Sequence, residues 1–367
     1  MTPGAAERRV EHVDWLRGLA VVGMFFVHSA PAWLAEAHRG GVYAVAASQI
    51  AGMVAPVFML LAGVSVAIVA GRDRDPEAAA RRRRRTALRG LQILAGGYAL
   101  HFAFFALRGF HGAQRVLKVD ILHCIGLSMA LLSIAAWPRR RFNWPALAAF
   151  AALIVGAQVA WRLPLTDWMP HGLAAYFTYY SDVSLFPLLP YGAWVALGMF
   201  VGPLWRDARR SAASERRFWI GIAAAAAACY AAYLGLEAVE QRSGLRAWLS
   251  PEGTRVRTTV SFFFFKITLA FALLASARLV EGPLRRLPRR PLLLLGRVSL
   301  FAYCLHLILI YHLFSPLGLD GCGPAGHLAG FAALTIVMVG LSWLWIRRGR
   351  WSAWRRLRER LTARGAG

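Results

Sequence analysis

Charge is scarce in this sequence, and negative charge is scarcer still. Charged residues make up 17% of the 367 positions and hydrophobic residues 58%, where a soluble domain averages roughly a quarter charged and half apolar. With a mean hydropathy of +0.47, the chain is a poor candidate for a soluble enzyme. Only 18 Asp and Glu oppose 43 Lys and Arg, for a formal net charge of +25. Lysine is almost missing as well. Lys118 and Lys266 are the only two, so the positive charge is arginine. The four cysteines are too few for a disulfide scaffold; Cys124, Cys229 and Cys304 sit in apolar runs and Cys322 in a loop. Metal-ligand spacing, a Ser nucleophile elbow, a phosphate-binding glycine loop and a dinucleotide fingerprint are all missing, so no metal is expected. The composition also excludes collagen and disordered classes.

What is present is a series of apolar runs, near 15–34, 44–70, 88–107, 119–136, 145–161, 183–204, 218–236, 259–280, 292–314 and 327–346. A helix needs about 20 apolar residues to cross a hydrocarbon core of roughly 30 Å. The expectation is therefore an all-α polytopic membrane protein of about ten transmembrane helices in one bundle. It comprises a single membrane domain over 1–346 and a basic cytoplasmic tail over 347–367. A cleaved signal peptide over the first run is disfavoured, because the run is longer than a signal core and carries His28.

The connecting segments alternate in charge. One set holds Arg8 and Arg9, the 71–89 segment with Arg81 to Arg85, then Arg139 to Arg141, Arg206 to Arg217, Arg285 to Arg290 and the tail from Arg347. It contains 30 of the 43 cations, against 9 in the other set. The positive-inside bias then puts both termini in the cytoplasm. Because these cations cluster between apolar runs and are not interleaved with aromatics, nucleic acid is excluded as a partner. The outward segments 162–182 and 237–258 are rich in Trp, Tyr and Pro. They read as interfacial connections or as a cap over an acceptor site.

Ionisable groups inside a membrane are costly, so each marks a candidate site or a hydrogen-bonded core residue. Asp14 and Arg17 are three residues apart, and His28 is eleven further on, all near one helix face at about 100° per residue. His28 then lies roughly 16 Å above Arg17. Alternating direction puts His101 and His306 at a similar height, with Asp120, His123 and Lys266 within about two turns of the outer surface. A polar site in the outer half of the bundle follows. Histidine suits it, because a pKa near 6.5 allows an imidazole to take a proton from an attacking hydroxyl or amine, or to carry an acyl group itself.

The run VDWLRGLAVVGMFFVH, from Val13 to His28, resembles the opening of the heparan-alpha-glucosaminide N-acetyltransferase family and of related bacterial membrane acyltransferases. APVFMLLAGVS (Ala55 to Ser65), VDILHCIGL (Val119 to Leu127), FPLLPYGAWVALGM and LLGRVSLFAYCLH resemble its later signatures in the same order. The resemblance implies acyl transfer, usually of acetyl, from cytosolic acyl-CoA to a hydroxyl or amine of a glycan or lipid-linked acceptor beyond a bacterial inner membrane. By position, His28 falls on the essential first-span histidine of the broader acyltransferases, with Asp14 and Arg17 in the accompanying motif. The animal members instead carry Asn there and hold a catalytic histidine in the first outward loop, where this chain has His38. His123 and Cys124 stand where the family more often has Gln and Arg. The base is thus open among His28, His38 and His123. Asp120 joins His28 and His123 in the expected catalytic set, while His38, His306 and Lys266 are expected to bind substrate with Asp14 and Arg17. Arg85 and Arg89 are expected at a cationic mouth for acyl-CoA, although an arginine run also sets topology and touches anionic lipid. The expected partners are acyl-CoA, the acceptor and membrane lipids, with a homodimer left open.

A rival reading is a transporter or flippase for a lipid-linked sugar, since intramembrane His, Lys and Asp also build substrate paths. It expects repeat halves with Gly- or Pro-broken spans in matching positions, which the sequence does not display.

Overall fold

The computed structural model describes residues 11–70, 75–107, 109, 113–137, 142–178, 184–242, 259–280 and 290–364. The clusters Arg8–Arg9, Arg139–Arg141 and 285–289, with most of the 237–258 outward segment, lie outside the described residues. Among the described residues there are thirteen α-helices. They are α1 (Glu11–Trp33), α2 (Val42–Ala70), α3 (Pro76–Leu107), α4 (Ile121–Ala135), α5 (Trp144–Ala160), α6 (Leu165–Trp168) and α7 (His171–Ala174). After these come α8 (Leu188–Ala208), α9 (Ala212–Arg242), α10 (Val260–Val280), α11 (Arg290–Arg297), α12 (Ser299–Ile308) and α13 (Pro324–Arg364). Among the described residues, strand-like pairing is limited to two isolated bridges, Leu34 with Cys322 and Val119 with Ser184.

Six of these helices, α1, α2, α3, α8, α9 and α13, are long and apolar enough to cross a membrane. α4, α5 and α10 are shorter apolar helices. The chain is an all-α polytopic membrane protein. The run 292–314, expected as one span, is two helices bent by 89°. The break comes at Val298, whose φ −113°, ψ 29° is not helical, just after the weak helix former Gly296. Beyond α12 the chain widens into a π-helical stretch, Leu309–Leu319. Pro316, which has no N–H to give to an i−4 carbonyl, falls inside it.

Contacts gather into two compact units, one of Met1–Val54 with Arg285–Gly367 and one of Ala55–Leu284, so the division falls within α2. In the first unit, α1 and α11 cross with their backbones in close approach. A Cβ on Gly18 would collide with the Leu292 carbonyl, and one on Gly296 with the Asp14 carbonyl. Phe25, Trp33, Leu295, Tyr303 and Ile310 of this unit are fully buried. In the second unit α3 packs on α4 in the same way, where a Cβ on Gly90 would lie 2.6 Å from the Gly126 oxygen. Without a hydrophobic drive between helices in lipid, such small-residue crossings are how backbones come close enough to pack.

Candidate functional site

Among the described residues, polar side chains gather in groups within the helices of each unit. At the start of α1, Arg17 donates to the Asp14 carboxylate, as their three-residue spacing predicts. Arg297, delivered by the α1–α11 crossing, brings its Nε to 3.9 Å from Asp14 Oδ2. The Asp14 side chain is almost fully buried, and two guanidinium groups offset the cost of holding its charge there.

Further along α1, the His28 and His306 rings lie 5.3 Å apart between centroids. Tyr303 flanks both, at 6.5 Å from His28 and 5.4 Å from His306. His306 is fully buried and its Nδ1 lies 2.9 Å from the Ala302 carbonyl. A carbonyl can only accept, so Nδ1 holds the proton and the neutral ring presents its lone pair at Nε2. The depth shared by His28 and His306 in the sequence therefore corresponds to a real pair of rings.

Beside it is a network that sequence reasoning missed. His327, fully buried at the start of α13, places Nε2 2.8 Å from Ser29 Oγ and Nδ1 2.5 Å from Tyr43 Oη. Ser29 also donates to the Phe26 carbonyl at 3.1 Å. The consistent assignment has Tyr43 donating to Nδ1, Nε2–H donating to Ser29, and Ser29 donating to Phe26. Every member is satisfied, which pins α1 in place one residue past His28. The available signal is a histidine at the first position of the apolar run 327–346.

His38 ends a short turn, Glu36–His38, and is exposed. A Cβ on Gly323 would lie 3.4 Å from its Nε2. The two segments are tied by backbone bonds, Cys322 N–H to the Trp33 carbonyl at 2.8 Å and Ala35 N–H to the Cys322 carbonyl at 3.0 Å. Burial pushes the Cys322 thiol up from its ordinary range.

In the second unit Asp120 caps α4 and forms a reciprocal capping box with His123. Asp120 Oδ1 accepts from the Ile121 N–H at 2.6 Å, and His123 Nδ1 accepts from the Asp120 N–H at 3.2 Å. His123 thus carries its neutral-state proton on Nε2, which is buried and has no hydrogen-bond partner among the described residues. It is arranged to donate, not to take a proton. His101 Nε2 lies 3.7 Å from Asp120 Oδ2, with the His101 and His123 rings 4.9 Å apart. The Tyr98 ring lies 4.2 Å from the His123 ring between centroids, and its hydroxyl shares a 2.7 Å hydrogen bond with Tyr176. Burial, then that hydrogen bond, push the Tyr176 phenol above its ordinary value. Gly97 is required by this packing, because a Cβ there would meet the His123 ring at 2.9 Å.

Lys266 is buried on α10, with Nζ 5.0 Å from the Phe262 ring centre. Near that end of α10, Ser261 donates to Glu240 Oε2 at 2.9 Å. Glu240 is a buried acid that the sequence places in the outward segment, because the apolar run ends at 236 while α9 continues to Arg242. Arg85 and Arg89 are exposed on α3. Among the described residues, no group of three or more His, Cys, Asp or Glu could hold a metal ion.

A family model for the catalytic domain of heparan-alpha-glucosaminide N-acetyltransferase matches residues 9–235. The chain belongs to that family. A comparison with curated proteins finds no match. Membership makes the protein a membrane transferase of the acetyltransferase kind. The matched stretch holds Asp14, Arg17, His28, His101, Asp120 and His123, and leaves His306 and His327 to the part beyond it. The family's residues and the later helices thus meet on α1, where His28 faces His306 and Ser29 bonds His327.

Proposed function

We propose that this protein moves an acyl group, acetyl in the first instance, from cytosolic acyl-CoA to a hydroxyl or amine of a glycan or lipid-linked envelope acceptor. The acceptor lies on the outer side of a bacterial inner membrane. The observation that carries this reading is the His28–His306 pair, with the His306 tautomer committed by the Ala302 carbonyl. The acceptor's O–H or N–H gives its proton to an imidazole of this pair as its oxygen or nitrogen attacks the thioester carbonyl carbon. The tetrahedral adduct then breaks its C–S bond, and the departing CoA thiolate takes the proton back from the imidazolium. The same pair could instead accept the acyl group on a ring nitrogen before passing it on.

Arg17 lies about 16 Å and Asp14 about 21 Å from His28 along α1, on the donor side of this scheme. Arg85 and Arg89 are assigned to the phosphates of acyl-CoA. His123 serves as a hydrogen-bond donor, with Asp120 holding its orientation. This changes the role expected from sequence, where it is a candidate base. His38 and Lys266 are left for contact with the acceptor.

The test is transfer of label from acetyl-CoA in membranes carrying the wild-type protein or His28→Ala at equal folded abundance. Label in protein or in extractable glycan or lipid that depends on His28 supports acyl transfer. Its position separates an acyl-enzyme from direct transfer. No incorporation with several acyl-CoAs and native membrane acceptors would overturn the proposal in favour of a transporter.

A further inference from the structure

The arginine run at the start of α3 is not uniform around the helix. Asp75 caps the helix, its carboxylate accepting from the Glu77 and Ala78 N–H groups at 3.1 and 3.0 Å. Arg81 is drawn to this end, with a hydrogen bond to Glu77 at 3.1 Å and an ion-pair contact to Asp75 at 3.6 Å. Arg83 and Arg84 point elsewhere. Together with Arg81, Ala80, Ala87 and Ile134 they line a groove of about 470 Å³.

The register explains why a groove forms there. α3 and α4 cross where Gly90 meets Gly126 and Ala130. From that crossing α4 continues only to Ala135 while α3 reaches back to Pro76, so α3 overshoots the end of α4 by about two turns. At about 100° per residue, 80, 83, 84 and 87 share one face of α3. That face has two small side chains, which leave space, and two long cations at its edge. Arg85 and Arg89 fall on the opposite face, so the groove is separate from the position proposed for the donor.

Beneath the cations the surface is apolar. Ile134 on the groove wall is 66% exposed; Leu131, one turn deeper on α4, and Leu91, one turn deeper than Ala87 on α3, are each 47% exposed. A cationic recess directly above an exposed aliphatic strip matches a molecule with an anionic head and hydrocarbon tails. We propose that this groove is a binding site for an anionic phospholipid, its phosphodiester held by Arg83 and Arg84 and its chains lying along Ile134, Leu131 and Leu91. Guanidinium groups are suited to the phosphodiester because they offer forked N–H donors to its oxygens. A zwitterionic lipid would bring its own cation into the recess and lose that advantage. A phosphate without tails would leave the aliphatic strip uncovered.

The experiment uses the full-length protein, delipidated in a neutral detergent and offered phosphatidylglycerol, phosphatidylcholine or coenzyme A, with bound molecules counted by native mass spectrometry. Wild type is expected to retain phosphatidylglycerol over phosphatidylcholine. Each cation near an anionic headgroup is worth about fivefold in binding, so Arg83→Gln with Arg84→Gln should lose about thirtyfold. Arg216→Gln with Arg217→Gln, on α9, should stay within about twofold, as expected of exposed charges away from the site. Ala87→Leu fills the groove without touching charge and should lose the lipid as well, while Arg83→Lys with Arg84→Lys keeps charge and serves as the folding control. Equal retention of the two lipids overturns the proposal. So does unchanged phosphatidylglycerol retention in the glutamine variant, or displacement of the lipid by coenzyme A at equal concentration.

Discussion

If His28 and His306 act on one proton, their losses must not multiply. The perturbation is a double-mutant cycle of His28→Gln, His306→Gln and the pair. Gln approximates the size of His and retains an amide donor for the Ala302 carbonyl, so the fully buried site at His306 is neither emptied nor left unsatisfied. A general base contributes about 10²–10⁴ in rate, or about 3–5 kcal/mol. A centroid separation of 5.3 Å brings ring nitrogens within reach of one hydrogen bond or one bridging water. Each single variant should therefore lose about 10²–10⁴ in single-turnover transfer of label from acetyl-CoA. The double variant should lose no more than the worse of the two, giving a coupling of about 3–5 kcal/mol. The assay is run in membranes at matched folded abundance, with thermal unfolding recorded for each variant. Losses that add in free energy to within about 0.5 kcal/mol would refute a shared role, as would a wild-type rate in either single variant.

The α1–α11 crossing predicts that Gly296→Val destabilises by about 1–3 kcal/mol or more, because its Cβ meets the Asp14 backbone, which no rotamer change relieves. Gly96→Ala, at a glycine with nothing within 4 Å, should be neutral or slightly stabilising; thermal unfolding in detergent that ranks them the other way refutes the crossing. Asp120→Ala should cost about 0.5–2 kcal/mol through the lost cap of α4, with Asp120→Asn recovering most of it while removing the charge beside His101. Cys322, with Cys229 and Cys304 replaced by Ser, should react with an impermeant maleimide from outside the cell. Because burial raises its thiol pKa, the thiolate fraction and the rate should climb about tenfold per pH unit and keep climbing past the ordinary thiol range. Labelling only after permeabilisation refutes the orientation, and a plateau at ordinary thiol pH refutes the buried setting.

Relations within one helix are legible in the sequence, because they depend only on rise and turn. Asp14 and Arg17 pair as their spacing requires, and the apolar runs each overlap a helix of the structure. Relations between helices are legible only as depth. Placing His28, His101 and His306 at one height is sound arithmetic, but height does not assign neighbours. The first unit joins His28 to His306, whereas His101 shares the second with Asp120 and His123. The glycines that decide such pairings are visible as small residues, yet which glycine meets which carbonyl depends on the crossing itself.

His123 marks a different limit. Its spacing from Asp120 fits a reciprocal cap as well as a carboxylate–imidazole pair, and in both the two residues touch. What separates them is which atom of Asp120 reaches Nδ1. A carboxylate would hold a proton on Nδ1 and free Nε2 to act as a base; the backbone N–H that is found there does the reverse. The exchange of one acceptor for one donor moves the candidate base from the second unit to the first. That choice lies in backbone dihedrals at a helix terminus, which a spacing rule does not contain.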